Sequence, residues 1–360
     1  MSMKVLVINF GSTSSKFAVY QDGAEEKKGG FDYTREDLKQ FEQINDQIPL
    51  RYESVMAFLN ENNYNLEDFD AIIGRAGGTA PIHGVYRVNE RMVDKLLNRS
   101  KVRHVANLCC VIAFELAKRV GIPCYTSSFT EDSMLDVTKI SGLPQMRRRN
   151  EGHMENWYAV SRKAFEKFGK SYEDSNLIVA HMGGGTTMGL HMGGKIVDVI
   201  GDTEGAFGPE RSGGLPLHGY LDLVMSGEYS NQELLAMMRG KGGLYAYTGT
   251  TDARIVEKEI LNGNEEWKVI YQAMALQEAK AIAALAATAK GKVDCIALSG
   301  GLSYSEMFVN WIREYVGFIA PIYVFPGEFE MEAMAMSVLN AVEGKAPVCE
   351  YTEEIDAQDE

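Results

Sequence analysis

The chain is poor in the residues that build stapled or metal-clamped folds, with five cysteines, nine prolines and three tryptophans in 360 residues. The cysteines (Cys109, Cys110, Cys124, Cys295 and Cys349) are odd in number, scattered and never in a CxxC spacing. That excludes a disulfide framework and a zinc ribbon, and it fits reduced thiols. The six histidines show no HExxH spacing, so a catalytic zinc centre has no ligand set. Basic residues are also short, 36 against 50 acidic, for a net charge of −14. A nucleic-acid binder needs a concentrated basic face, so that class is excluded. A small anionic ligand stays open, because a few arginines and backbone N–H groups can hold one locally. Long apolar runs are missing too. Val5–Ile8 is too short for the core of a leader, and Met274–Ala289 is broken by Glu278 and Lys280. The expectation is a cytoplasmic protein with no membrane partner. The GxxxxGK P-loop, the GxGxxG dinucleotide fingerprint and the GxSxG elbow are all absent, which removes three common site types.

Glycine, by contrast, is plentiful at 36 residues, and much of it stands where apolar runs end. The length suits about two domains. Lys4–Gly23 reads as strand, Gly/Ser/Thr turn, strand, and its continuous apolar run Val5–Ile8 suits a strand buried on both faces. The pattern recurs at Asn176–Lys195. Val5 aligns with Leu177, Asn9 with His181, Gly11 with Gly183 and Ser14 with Thr186, without a gap. A duplicated domain is the reading, each half opening on this unit. Later segments predict a helix over Leu108–Val120 stopped by Gly121, and a helix from an Ser161 N-cap to Phe168. Beyond them come a long helix Tyr271–Ala289, a strand Val293–Leu298 and a turn at Ser299–Gly301. The rest reads as a helix Glu306–Tyr315, a strand Ile322–Phe325, a helix Met331–Val342 and an acidic, solvated tail from Glu350. The alternation is that of a mixed α/β protein.

Both Gly-hydroxyl turns are candidate phosphate cradles. Glycine lets the backbone approach an anion and aim successive N–H groups at it, while Ser and Thr hydroxyls add donors. The plain alternative is a tight hairpin; two copies, each preceded by a polar residue (Asn9, His181), favour a paired cradle. The Ser299-Gly300-Gly301 turn is a third candidate, since open α/β sheets bind ligands at the carboxyl ends of strands. Arg75 in GRAGG and Arg211 in GPERSGG are flanked by glycines, which would leave a guanidinium accessible for bidentate contact with phosphate or carboxylate. Arg147-Arg148-Arg149 reads instead as a solvated basic run. Glu328, Glu330 and Glu332 lie where a strand ends and a helix begins. They serve either the helix dipole or, beside bound phosphates, Mg²⁺.

Taken in order, VLVINFGSTSSK, GRAGG, RHVANL, ISGLPQMRRR with His153, IVAHMGGGTTMG, GPERSGGLP, GGLYAYTGTTDAR, ALSGGLSYSEMFVNWI and FPGEFEMEA resemble the acetokinase family, and most closely its butyrate-directed members. The match covers nearly the whole chain. It implies duplicated ribonuclease-H-like domains of the actin-like ATPase fold with a nucleotide cleft between them. The expected halves are 1–153, rejoined by the C-terminal helix 331–360, and 154–330. A homodimer using Mg-ATP to phosphorylate a short-chain carboxylate, butyrate or a branched analogue, is also implied. The alternatives are an acetate- or propionate-directed kinase and a catalytically weak nucleotide-binding paralogue.

By the same resemblance, Asn9 and the turn Gly11, Ser12, Thr13 and Ser14 meet the transferred phosphate. His181, Gly183, Gly184 and Gly185 hold the ATP phosphates. Arg75 and Arg211 clamp the carboxylate and the developing charge, with His153 donating to the migrating group. His104 and Asn107 support that site, Gly300 and Gly301 pack against adenosine, and the three glutamates serve the metal. Two departures stand out. Ser128 occupies a position that is acidic in these kinases, with Glu131 or Asp132 as the nearest replacements. Gly152 and Gly77 stand where bulkier side chains border the acyl group, which predicts a wider pocket.

Overall fold

The computed structural model describes residues 2–76, 84–100, 104–128, 133–150 and 152–358. Its strands, in chain order, are β1 (Lys4–Gly11), β2 (Ser14–Gln21), β3 (Ala24–Asp32), β4 (Ala71–Gly74), β5 (Gly84–Arg87), β6 (Cys124–Ser128), β7 (Asn176–Met182), β8 (Thr186–Met192), β9 (Lys195–Ile200), β10 (Cys295–Gly300), β11 (Ile322–Pro326) and β12 (Val348–Glu350). They form two sheets, ordered β12-β5-β6-β4-β1-β2-β3 and β11-β10-β7-β8-β9. In each, an antiparallel meander (β1-β2-β3, β7-β8-β9) is extended from its first strand by parallel strands (β4 and β6; β10 and β11). Each meander carries a bulge between its second and third strands, at Val19/Tyr20 and at Leu190/His191. The doubled sequence pattern thus corresponds to a doubled topology.

Two compact units follow: Met1–Thr130 with Phe329–Glu360, and Glu131–Glu328. The division falls at 130/131, so residues 133–153 group with the second unit and not, as the sequence suggested, with the first. In unit 1, alternation along β1 sends Leu6, Ile8 and Phe10 into one core and Val5 and Val7 into the other. The first core lies under the helices Ile48–Glu61 and Ala106–Val120, the second under Glu330–Val342. Unit 2 has its core between β7, β8 and β10 and the helices Glu265–Thr288 and Glu306–Val316.

Several local expectations need correction. The helix ending at Phe168 begins at Met154, with His153 as its N-cap residue; Ser161 lies inside it and is bonded to the Trp157 carbonyl at 2.7 Å. Its apolar face supplies the reason, since burying Trp157, Val160 and Ala164 requires the two preceding turns. Ser299 and Gly300 close a strand and do not form a turn. The acidic tail is solvated only in part: Glu350, Glu353 and Glu354 are exposed, but β12 pairs with β5, and Asp356 is buried against Lys95 (3.2 Å), Arg99 (2.8 Å) and the Tyr351 hydroxyl (3.1 Å). Arg148 is likewise more than a surface charge. It bonds Asp198 at 3.1 Å, Glu204 and the carbonyls of Thr138 and Val199, tying the 133–150 segment to β9.

Candidate active site

In unit 1, β1 and β4 run parallel with Ile8 opposite Gly74, so the residues that follow emerge side by side at the carboxyl ends of the strands. The Arg75 amide extends the ladder to the Ile8 carbonyl at 3.1 Å. Gly74 is obligatory there, because a Cβ would come within 2.4 Å of the Cys109 carbonyl. Asn9 and Arg75 converge on one carboxylate, that of Glu330. Asn9 Nδ2 donates to Glu330 Oε2 at 3.0 Å, and Arg75 Nη1 lies 3.2 Å from the same oxygen. Glu330 opens the helix Glu330–Val342 and is buried. It orients the two donors by charge-assisted hydrogen bonds. His104 accepts the Ala106 amide on Nδ1 at 3.1 Å, just ahead of the helix Ala106–Val120. Desolvation by the surrounding protein and the nearby Arg75 charge hold its pKa below the ordinary histidine value. Asn107, on the first turn of that helix, is buried.

The first hairpin turn, Gly11 to Ser14, is exposed at Ser12 and Thr13 and anchored by a buried Ser15. Its rear face is held by a residue the sequence did not single out. Arg51, fully buried, donates to the Ser14 carbonyl at 2.5 Å and to the Ser12 carbonyl at 3.2 Å. The carbonyl between them, Thr13, accepts from the Tyr33 amide at 2.8 Å.

In unit 2, His181 ends β7 and is buried; its Nδ1 lies 3.3 Å from Ser299 Oγ, which in turn donates to Asn156 Oδ1 at 3.0 Å. His153 stacks on it with ring centroids 4.4 Å apart, and His153 Nδ1 sits 2.9 Å from Thr187 Oγ1. The second turn, Gly183–Gly185, closes on itself through a Gly183 amide to Gly185 carbonyl bond of 3.1 Å. It rests on the GPERSGG loop. The Glu210 amide donates to the Gly184 carbonyl at 3.1 Å, and a Cβ on Gly185 would press to 2.9 Å of Arg211 Cγ. Arg211 is pinned by Asp202, which also receives Arg239 at 2.9 Å. The sequence had not marked Asp202; an acidic residue after β9 carries no motif signal of its own.

Beside this turn opens a cleft of about 720 Å³ lined by Gly183, Gly184, Glu210, Thr251, Asp252, Arg254, Gly301, Tyr304 and Glu328. The volume suits a small-molecule ligand. Gly300, at φ +90°, is required where β10 passes β7, since a Cβ would meet the Met182 carbonyl at 2.3 Å; the position of Gly301 is open. Asp252 caps the helix Ala253–Leu261 and holds Arg254 bidentately at 2.9 and 2.7 Å, presenting that guanidinium at the rim.

Two sequence expectations take a narrower form here. The three glutamates are not gathered at one point, and among the described residues there is no group of three or more His, Cys, Asp or Glu side chains that could hold a metal by itself. The helix starts only at Glu330, so Glu328 precedes it, while Glu330 and Glu332, two apart, point to different sides. Glu330 is also committed to Arg75 and Asn9. The bareness of Gly152 opens no pocket, because the Trp157 ring fills the space and a Cβ would come within 2.1 Å of it. Gly77, Glu131 and Asp132 lie outside the described residues. Ser128 closes β6, half-buried, opposite Gly84.

Comparison with known proteins places this geometry. The acetokinase family profile matches residues 142–316. The chain is 39% identical to Butyrate kinase 2 of Clostridium acetobutylicum over 355 residues, covering 98% of this chain and all of that protein. The chain belongs to the acetokinase family. Among solved structures it resembles Porphyromonas gingivalis acetate kinase, with a TM-score of 0.76 at 19% identity over 94% of this chain and 99% of the other. It also resembles a propionate kinase from Francisella tularensis, with a TM-score of 0.74 at 18% identity over 92% and 98%. These two likenesses establish the acetokinase fold, an actin-like ATPase architecture, as the fold of this chain.

Proposed function

We propose that the protein transfers the γ-phosphate of ATP reversibly to a short-chain carboxylate, butyrate or a branched analogue, giving an acyl phosphate and ADP. The observation that carries the reading is the pairing, in each unit, of a Gly-hydroxyl hairpin with a glycine-flanked arginine held by a carboxylate: Arg75 on Glu330 and Arg211 on Asp202. Such pairs present guanidinium groups at fixed angles to an anion and are stronger than mobile surface charges. The preference for butyrate rests on the 39% identity to a protein of that name. Widening at Gly152 no longer supports it.

In this reading the cleft beside Gly183–Gly185 takes the nucleotide. The turn and His181 hold its phosphates, Gly301 and Arg254 flank the adenosine, and Asn9 with the Gly11–Ser14 turn receives the migrating phosphoryl group. Arg75, Arg211 and His153 stabilise charge as it develops, while His104 and Asn107 shape the acid site. Phosphoryl transfer demands little covalent chemistry from the protein, only positioning and electrostatic stabilisation. A carboxylate is ionised at neutral pH, so no general base is needed. Of the three glutamates only Glu328 lines the cleft. One carboxylate with phosphate oxygens and water suffices for Mg²⁺, and Glu328 is the residue that would hold it, supplying charge neutralisation on the phosphates. A homodimer in the cytoplasm completes the proposal.

Trapping acyl phosphate with hydroxylamine, over acids of two to five carbons, tests it. Product should form with every acid tried and peak at four or five carbons. A peak at two or three carbons would favour an acetate- or propionate-directed kinase, and no product with any acid would overturn the assignment.

A further inference from the structure

Arg51 is built at odds with ordinary stability rules. It is fully buried in a chain of net charge −14, and among the described residues no carboxylate lies within ion-pair distance of it. It also sits in the first turn of the helix Ile48–Glu61, a turn that holds no acidic residue and where the helix dipole opposes a cation. Its partners are all neutral. They are the Ser12 and Ser14 carbonyls, Ser15 Oγ at 3.2 Å and Gln47 Oε1 at 3.2 and 3.3 Å, with the rings of Phe10 and Tyr33 against the guanidinium at 5.3 and 4.6 Å. Every hydrogen bond is satisfied, yet the charge is not. A neutral side chain of the same shape would hold the hairpin at lower desolvation cost.

We propose that Arg51 is a positioning residue whose unbalanced charge, relayed through the Ser12–Ser14 backbone, makes the first hairpin a seat for a phosphoryl anion. Tying the Ser12 and Ser14 carbonyls to a cation polarises their peptide units, so the donors on the opposite side of the turn become stronger. Among the described residues no counter-charge faces Arg51, and the bound anion supplies it. This deepens the proposed function and rests on the reading that the Gly11–Ser14 turn meets the transferred phosphate. Arg51 itself touches no substrate.

Gln47→Glu is the discriminating variant. It keeps the size of the side chain and its contact with the guanidinium while providing the missing carboxylate. A residue that only braced the hairpin would gain from the new ion pair, with ligand binding unmoved. The proposal expects an unchanged or higher melting temperature in phosphate-free buffer. Inorganic phosphate, titrated at constant ionic strength against the full chain, should bind about tenfold more weakly than to wild type. In the acyl-phosphate-to-ADP direction, kcat should fall about as far while the KM for ADP stays put. Arg51→Lys, which keeps the charge and loses the fork, should retain more phosphate affinity than Arg51→Met. Wild-type and Gln47→Glu proteins with equal phosphate affinity, or a wild type that phosphate does not bind, would overturn the proposal. Phosphate binding that responds to Gln47→Glu in a protein making no acyl phosphate would instead overturn the assigned reaction and leave the anion seat standing.

Discussion

Glu278 carries a carboxyl group into unit 2 with one hydrogen bond, from Thr186 Oγ1 at 2.6 Å, and no partner for Oε2 among the described residues. Burial raises its pKa from an ordinary 4.5 to about 8. Between those values the native state keeps a proton that the unfolded chain releases, so this group's contribution is full below pH 4.5 and is lost as pH rises towards 8. Urea denaturation of Glu278→Gln should show a stability–pH slope flatter than wild type across that window, by about 3–5 kcal/mol in total. Parallel curves would show that the carboxyl is not held neutral. Arg75→Ala should leave the fold intact and lower kcat about 10²- to 10³-fold, as loss of a transition-state donor does. Near-wild-type turnover would remove it from the site. At this scale the sequence exposed what carries a local signature: arginines between glycines, Asn9 and His181 at matching strand ends. Glu330 was legible as a carboxylate but not as the orienter of Arg75, because that pairing joins positions 255 residues apart. Arg51 and Asp202 carried no signature at all.

Elements show the same division between local and long-range information. The hairpin strands were readable from apolar runs and glycine turns, and the helix stops at Gly121 and Gly169 from their left-handed conformation, φ +75° and +76°. The start of the helix Met154–Phe168 was not, because its first two turns are fixed by Trp157 packing between Gly152 and Gly189. Gly152→Ala should therefore destabilise the protein by about 1–3 kcal/mol, and a smaller ring space in Gly152→Ala/Trp157→Leu should recover part of it, measured by denaturant melts. Additive losses would mean that the ring is not the obstacle. The acidic tail illustrates the reverse case. Its composition reads as solvated, whereas β12 completes a sheet edge and Asp356 neutralises the buried Lys95. Asp356→Ala should cost about 3–5 kcal/mol, since it strands a buried ammonium. A loss below about 0.5 kcal/mol would return the tail to the surface.

Over the whole molecule, the duplicated hairpin and the net charge of −14 proved to be the two most informative global features, in opposite ways. The duplication was legible because both copies keep strand, polar residue and glycine turn in register, and the order β11-β10-β7-β8-β9 repeats β6-β4-β1-β2-β3 within the larger sheet. The charge argued against nucleic acid yet gave no hint of the anionic substrate proposed here, whose positive field Arg51, Arg75 and Arg211 would supply at single points. The central claim is that a carboxylate oxygen bonds to the γ-phosphorus of ATP and not to its α-phosphorus, and carboxyl-¹⁸O-labelled butyrate with ATP tests it most directly. Phosphorus NMR of the product should show the ¹⁸O-induced shift on the acyl phosphate phosphorus, with ADP as the other product. Label recovered in AMP, or acyl phosphate without ¹⁸O on phosphorus, would contradict the account.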